Sequence, residues 1–151
     1  MKNFILDVDG VMTNGQFFYD KNGKTHKIFG ADDSDGLALI NDMINIQFVS
    51  ADKRGFDISK KRIQDDMGYK INLVSSKERF SWIKDRYNPQ DCIYMGDGFF
   101  DNLIMEKVGY SIAPSNADIK AKNAADYITE RSGGDRAVAE ACVHVLNKFF
   151  G

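Results

Sequence analysis

The sequence predicts an α/β domain, a parallel sheet in a three-layer α/β/α arrangement. Two observations carry this. Short β-type runs alternate with longer amphipathic runs along the whole chain, the pattern of a parallel sheet flanked by helices. The composition, 43% hydrophobic and 28% charged, is that of an ordinary globular protein. It excludes a disordered chain, a coiled coil and a collagen-like repeat. With 151 residues, residues 1–151 are expected to form a single domain that buries roughly 70% of its unfolded surface.

The first run, Asn3-Asp9, is apolar and ends in acids. Residues 15–30 then break the alternation and read as a hairpin. Gln16-Tyr19 and Lys24-Phe29 form its arms, and Asn22-Gly23 is expected to supply the positive φ values of a primed turn. A hairpin inserted straight after the first strand cannot easily join the sheet, so it should project. Its aromatics Phe17, Phe18, Tyr19 and Phe29 then need cover from the rest of the chain or from another subunit. Further strands are expected at Ile46-Ser50, Ile71-Val74, Asp91-Met95, Tyr110-Ala113 and Tyr127-Thr129. Helices are expected near 34–45, 56–67, 76–87, 100–108 and 117–124, with a C-terminal tail and helix over 132–150. In that last helix Val138, Cys142, Val145, Leu146 and Phe149 recur at helical spacing.

The formal net charge of -2 gives no basic field for nucleic acid. Cys92 and Cys142 are too few for a disulfide framework or a four-ligand zinc site. No apolar run is long enough to span a membrane, and Phe4-Leu6 is too short for a signal peptide, so a cytoplasmic location is expected. His26 and His144 have no obvious metal partners in the sequence.

The chemistry gathers where strands end. Asp7 and Asp9 lie two apart and share a face of the first strand. Their repulsion is costly unless a cation is present or one carboxyl is protonated; alternatively they are turn acids after a strand. The fourth core strand also ends in acids, in Gly96-Asp97-Gly98-Phe99-Phe100-Asp101. Open parallel sheets bind ligands beyond the carboxyl ends of their strands. Asp7, Asp9 and Asp97 together suit a hard ion such as Mg²⁺. Asp101 also reads as a helix N-terminal acid favoured by the dipole. Ser50 and the N–H of Ala51 could offer donors to an anion. Lys77, near an expected helix start, reads either as a phosphate cation or as a solvated surface lysine.

In this order the strand ends resemble the four motifs of the haloacid dehalogenase superfamily of phosphotransferases: Asp7-Val8-Asp9-Gly10-Val11, Ser50, Lys77, and Gly96-Asp97 with Asp101. The likeness is closest to the small capless branch that acts on phosphorylated sugar acids of the octulosonate 8-phosphate and nononate 9-phosphate type. It rests on Asp7 to Gly15, the aromatic hairpin, Asp35-Gly36, and Gly133-Gly134-Asp135-Arg136-Ala137-Val138-Ala139-Glu140. The resemblance implies a Rossmann-like fold without a cap domain and an Mg²⁺-dependent phosphomonoesterase. In it Asp7 is the nucleophile that forms an aspartyl phosphate, and Asp9 is the general acid and base. Mg²⁺ is held by the Asp7 carboxylate, the Asp9 carbonyl and Asp97. Ser50 and Lys77 bind the phosphate, helped by N–H groups near Gly10 and Ala51, and Asp101 supports Lys77 or a metal-bound water. A homotetramer is implied.

Three departures stand out. The second motif usually reads Thr-Gly-Arg and here reads Ser50-Ala51-Asp52, an anion where a cation is common. Gly98 follows Asp97 where a second Asp is frequent. Ala139 stands where the tail, which in the resembled branch reaches an active site, often a neighbour's, commonly carries an arginine. Arg136, three residues earlier, either reads a substrate carboxylate in its place or points to solvent, and the first is expected. Two other readings compete: a catalytically idle oligomerisation module, and a signalling receiver domain. The receiver needs an Asp after the third core strand, where this chain has Val74-Ser75-Ser76.

Overall fold

The computed structural model describes residues 1–151. Its elements are β1 (Asn3–Asp7), β2 (Phe18–Asp20), β3 (Gly23–His26), α1 (Asp32–Ile40), β4 (Asn45–Ser50), α2 (Phe56–Lys60), β5 (Lys70–Leu73), α3 (Arg79–Arg86), β6 (Cys92–Met95), α4 (Asn102–Met105), β7 (Tyr110–Ala113), α5 (Ile119–Ala124), β8 (Tyr127–Ile128) and α6 (Ala137–Val145). A π-helical turn continues α2 over Lys61–Asp66, and another continues α6 over Leu146–Phe150. Six parallel strands form one sheet in the order β5-β4-β1-β6-β7-β8.

Alternation along β1 sends Phe4 and Leu6 to one face of the sheet and Ile5 to the other. The first face packs with Phe48, Ile93, Leu37, Val138 and Cys142, which places α1 and α6 on that side. The second packs with Val49, Tyr94, Ile83, Ile104 and Ala121, which places α3, α4 and α5 opposite. The three layers are thus those expected. Cys92 and Cys142 are both buried free thiols.

β2 and β3 pair antiparallel in a separate two-stranded sheet, so the hairpin does stay out of the main sheet. Its turn differs from the expected primed type. Only Gly23 takes a positive φ (115°); Asn22 does not, and its N–H instead donates to Asp20 Oδ1 at 2.7 Å. That side-chain turn leaves glycine alone to absorb the left-handed conformation. The first helix also ends earlier than expected, because the backbone from Asn45 onward pairs with β1.

The tail helix α6 lies against α1 of its own chain. A Cβ on Gly36 would lie 2.6 Å from the Ala139 Cα, so only glycine admits this crossing. Asp33 of α1 accepts the Ala139 N–H at 3.0 Å and caps the start of α6.

Candidate active site

From β1 the chain turns to β4 and β5, then returns past β1 to β6. That reversal is the switch point at which open α/β sheets bind ligands. Asp7 ends β1, and Asp97 follows β6 on the same edge. The loops beyond these strands touch so closely that residue 10 has no room for a side chain. A Cβ on Gly10 would lie 1.8 Å from an Asp97 carboxylate oxygen, and its φ of 87° also favours glycine. Asp101, in the turn before α4, completes the group. One carboxylate oxygen from each of Asp7, Asp97 and Asp101 lies within 4.8 Å of the others. The Gly98 N–H and the Tyr94 hydroxyl each donate to Asp101 at 2.7 Å and fix its orientation.

Arg79 stands behind these acids with its side chain 2% exposed. Its Nη1 lies 3.5 Å from both Asp7 Oδ1 and Asp101 Oδ1 and donates to the Tyr94 hydroxyl at 2.9 Å. One guanidinium against three carboxylates leaves the group short of positive charge. Burial raises the Asp7 carboxyl well above the usual range; Arg79 opposes the rise, and Asp101 and Asp97 reinforce it. Burial, then the Asp101 charge, pushes Asp97 up to about 6. Carboxylates held together against their own repulsion form an all-oxygen donor set that fits a hard divalent ion.

The Asp9 carboxylate turns away from this cluster towards the hairpin. Lys27 Nζ, fully buried, lies 2.9 Å from Asp9, 2.9 Å from Asp52 and 2.8 Å from the Ser59 hydroxyl. Lys24 Nζ lies 2.8 Å from the other Asp52 oxygen. Burial alone would raise Asp52, but the two ammonium groups outweigh it and hold Asp52 at about 2. A cavity of about 360 Å³ joins the two clusters, with Asp7, Asp9, Lys24, Asp52 and Arg79 in its walls and Phe99 and Phe100 at its edge.

This geometry has clear counterparts among known proteins. A haloacid dehalogenase-like hydrolase family model matches residues 82–141. The 3-deoxy-D-manno-octulosonate 8-phosphate phosphatase of Haemophilus influenzae is 33% identical over 151 residues, covering 97% of this chain and 83% of that protein. This chain belongs to the haloacid dehalogenase-like phosphatases. The cobalt-bound structure of the deoxy-D-mannose-octulosonate 8-phosphate phosphatase from H. influenzae superposes with a TM-score of 0.85 at 31% identity, covering 97% of this chain and 88% of that one. The Moraxella catarrhalis 3-deoxy-D-manno-octulosonate 8-phosphate phosphatase, solved with magnesium, phosphate and KDO, gives 0.81 at 26% identity over 97% and 86%.

Within the haloacid dehalogenase-like frame, Asp7 and Asp97 meet in the acid cluster and Asp101 joins them. Asp9 enters only through its backbone position beside Asp7, since its carboxylate pairs with Lys27. Ser50 ends β4 buried, its hydroxyl accepting the Asp52 N–H at 3.2 Å, and Ala51 lines the cavity. The Gly10 N–H points to the Thr13 hydroxyl at 3.3 Å rather than into the cavity.

Lys77 and Arg136 also lie apart from the acid cluster in this chain. Lys77 is exposed in the turn before α3 and makes no hydrogen bond or ion pair. The helix expected from residue 76 begins at Arg79. Each residue rotates the helix face by about 100°, so this start gives Arg79, not Lys77, the inward position. Arg136 lies outside the cavity, paired with Asp32 at 2.6 Å and Asp135 at 3.0 Å. It adopts φ 71° at the start of α6, which directs it along α1 rather than towards the acids. The tail's glycines serve the first motif from behind. The Gly133 N–H donates to Asn116, whose amide donates to the Gly10 carbonyl, and a Cβ on Gly133 would strike that carbonyl.

Sequence reasoning missed Arg79, Lys27 and Lys24. Arg79 had a signal, a second cation two residues beyond Lys77. The hairpin lysines had none, because their partners are distant in sequence. β5 ends in Leu73 with no acid facing the site, which removes the receiver-domain reading.

Proposed function

We propose that this chain is an Mg²⁺-dependent phosphomonoesterase acting on a phosphorylated sugar acid of the octulosonate 8-phosphate or nononate 9-phosphate type. The observation that carries the reading is the buried Asp7-Asp97-Asp101 cluster at the sheet's switch point, with Asp9 two residues beyond Asp7. The likeness to the octulosonate phosphatases supports the substrate class. The Asp7 and Asp97 carboxylates and the Asp9 carbonyl would hold Mg²⁺, which would supply charge neutralisation for the phosphate and for these acids.

This chain's own residues do the rest. Asp7 attacks phosphorus, and its carboxylate oxygen forms the aspartyl-phosphate bond as the ester oxygen leaves. Asp9 gives that oxygen its proton, then takes one from the water that cleaves the aspartyl phosphate. Lys27 holds the Asp9 carboxyl on the leaving-group side, clear of the Asp7-Asp97 cluster. Arg79 offsets charge behind Asp7 and is the cation nearest the phosphate position, where the sequence leads one to expect Lys77. Ser50 and the N–H of Ala51, at the end of β4, are proposed to bind phosphate oxygens.

Assembly belongs to the same proposal. Phe18, Tyr19 and Ile28 are 59%, 65% and 68% exposed on the hairpin, an apolar patch that a homotetramer would cover. No helix is long and apolar enough to cross a membrane, and the cytoplasmic location expected from the sequence remains part of the proposal.

The test is release of inorganic phosphate from 3-deoxy-manno-octulosonate 8-phosphate with Mg²⁺. Asp7→Asn should abolish it, and Asp9→Asn should lower it by about 10²–10⁴. Near-native turnover by folded Asp7→Asn would refute the mechanism.

A further inference from the structure

Of the three cations around the cavity, two are committed. Arg79 serves Asp7, Asp101 and Tyr94. Lys27 donates to Asp9 and Ser59 and forms an ion pair with Asp52. Lys24 differs. Its ammonium has one partner, Asp52, and two further N–H donors without a protein acceptor. Its side chain is only 15% exposed and lies over the Phe17 ring, 4.1 Å from the centroid. It stands in the wall of the reactive cavity and also in that of an adjoining hollow of about 480 Å³, shared with Tyr19 and Arg54. Lys24, with Ala51 and Asp52, therefore forms the wall common to the reactive cavity and the adjoining hollow.

We propose that Lys24 is the specificity-determining residue of this site, binding a carboxylate on the part of the substrate beyond its phosphate. The inference rests on the phosphatase reading above and deepens it. The chemistry follows from the charges. Asp52 stands where the resembled motif often has an arginine, so the loop after β4 presents an anion. Asp52 anchors Lys24, and the hairpin thereby returns a cation to that wall. A carboxylate arriving there meets an ammonium already desolvated and oriented, so little further ordering is needed on binding. A neutral sugar phosphate would leave those two donors unmet, which disfavours it. Arg136 is tied to Asp32 outside this chain's own cavity.

The test compares kcat/KM for octulosonate 8-phosphate with that for p-nitrophenyl phosphate, which has no carboxylate. Lys24→Met should lower the ratio by about 10- to 100-fold, chiefly through KM, as expected for one lost charge-assisted hydrogen bond. Lys24→Arg should hold it within about threefold, since it restores the charge. Titration calorimetry with 3-deoxy-octulosonate itself needs no turnover, and there Lys24→Met should weaken binding by a similar factor. Lys24→Gln, which keeps the reach and loses the charge, gives the same comparison should the methionine variant not fold. An unchanged ratio in the folded neutral variant, or no binding of the acid by the unaltered protein, overturns the proposal. Absence of all phosphatase activity would instead overturn the reading beneath it, and the calorimetry would still decide Lys24.

Discussion

Without metal, Asp97 should make the protein less stable as pH rises, and Asp97→Asn should remove that loss. Burial and the neighbouring Asp101 charge raise the Asp97 carboxyl from 3.8 to about 6 in the folded state. The folded protein therefore holds a proton on Asp97 that the unfolded chain has lost. Stability from this group is fully present below about pH 4 and is lost as pH rises through about 6. At about 1.36 kcal/mol per pH unit, the rise from 3.8 to about 6 corresponds to about 3 kcal/mol. Urea unfolding in EDTA at pH 4.0 and pH 7.5 measures it, read as the difference between the parent protein and Asp97→Asn. Taking the difference cancels Asp33 and His144, whose folded-state shifts act in opposite directions; Asp7, which the Asp97 charge helps to raise, adds to the difference with the same sign. Asp52, held at about 2, does not titrate in this window. The two proteins should be near parity at pH 4.0, with Asp97→Asn ahead by about 3 kcal/mol at pH 7.5. Saturating Mg²⁺ should reverse the order, because only the parent keeps its full ligand set. A difference that stays constant with pH, or that favours the parent at pH 7.5 in EDTA, would refute the picture of three uncompensated acids.

Four further outcomes are expected. Arg79→Met should destabilise the metal-free protein by about 3–5 kcal/mol, as removal of one partner from a buried ion pair does, and should abolish turnover. Lys77→Ala should leave both unfolding and kcat/KM within about twofold; equal losses in the two variants would show that Lys77 reaches the site. Gly10→Ala should cost at least about 2 kcal/mol, from positive φ and displacement of Asp97, seen as a lower urea midpoint together with lost phosphatase activity. Phe18→Ser combined with Ile28→Lys should turn the assembly into 17.0 kDa monomers by light scattering; a parent protein already monomeric at micromolar concentration would remove the tetramer proposal.

What the sequence determined by itself was whatever depends on neighbours along the chain. Six strands and their alternating faces follow from runs such as Phe4-Ile5-Leu6, because side chains on a strand repeat every two residues. The acids were legible for the same reason: Asp7 and Asp9, and Asp97 and Asp101, are spaced within single turns, and the end of a buried strand fixes where they emerge. Only the tertiary structure decided which cations answer them. A shift of the α3 start to residue 79 turned Lys77 outward and Arg79 inward, a rotation that periodicity resolves no better than a residue or two. Lys24 and Lys27 meet Asp52 and Asp9 across the fold, pairings that exist only once the hairpin folds back over the ends of β1 and β4. Arg136 was drawn from the site by a contact equally remote in sequence, the close crossing of Gly36 and Ala139 that lays α6 along α1. Local spacing specifies where charge is concentrated, and folding specifies how it is compensated, because the Coulomb energy depends on distances in space.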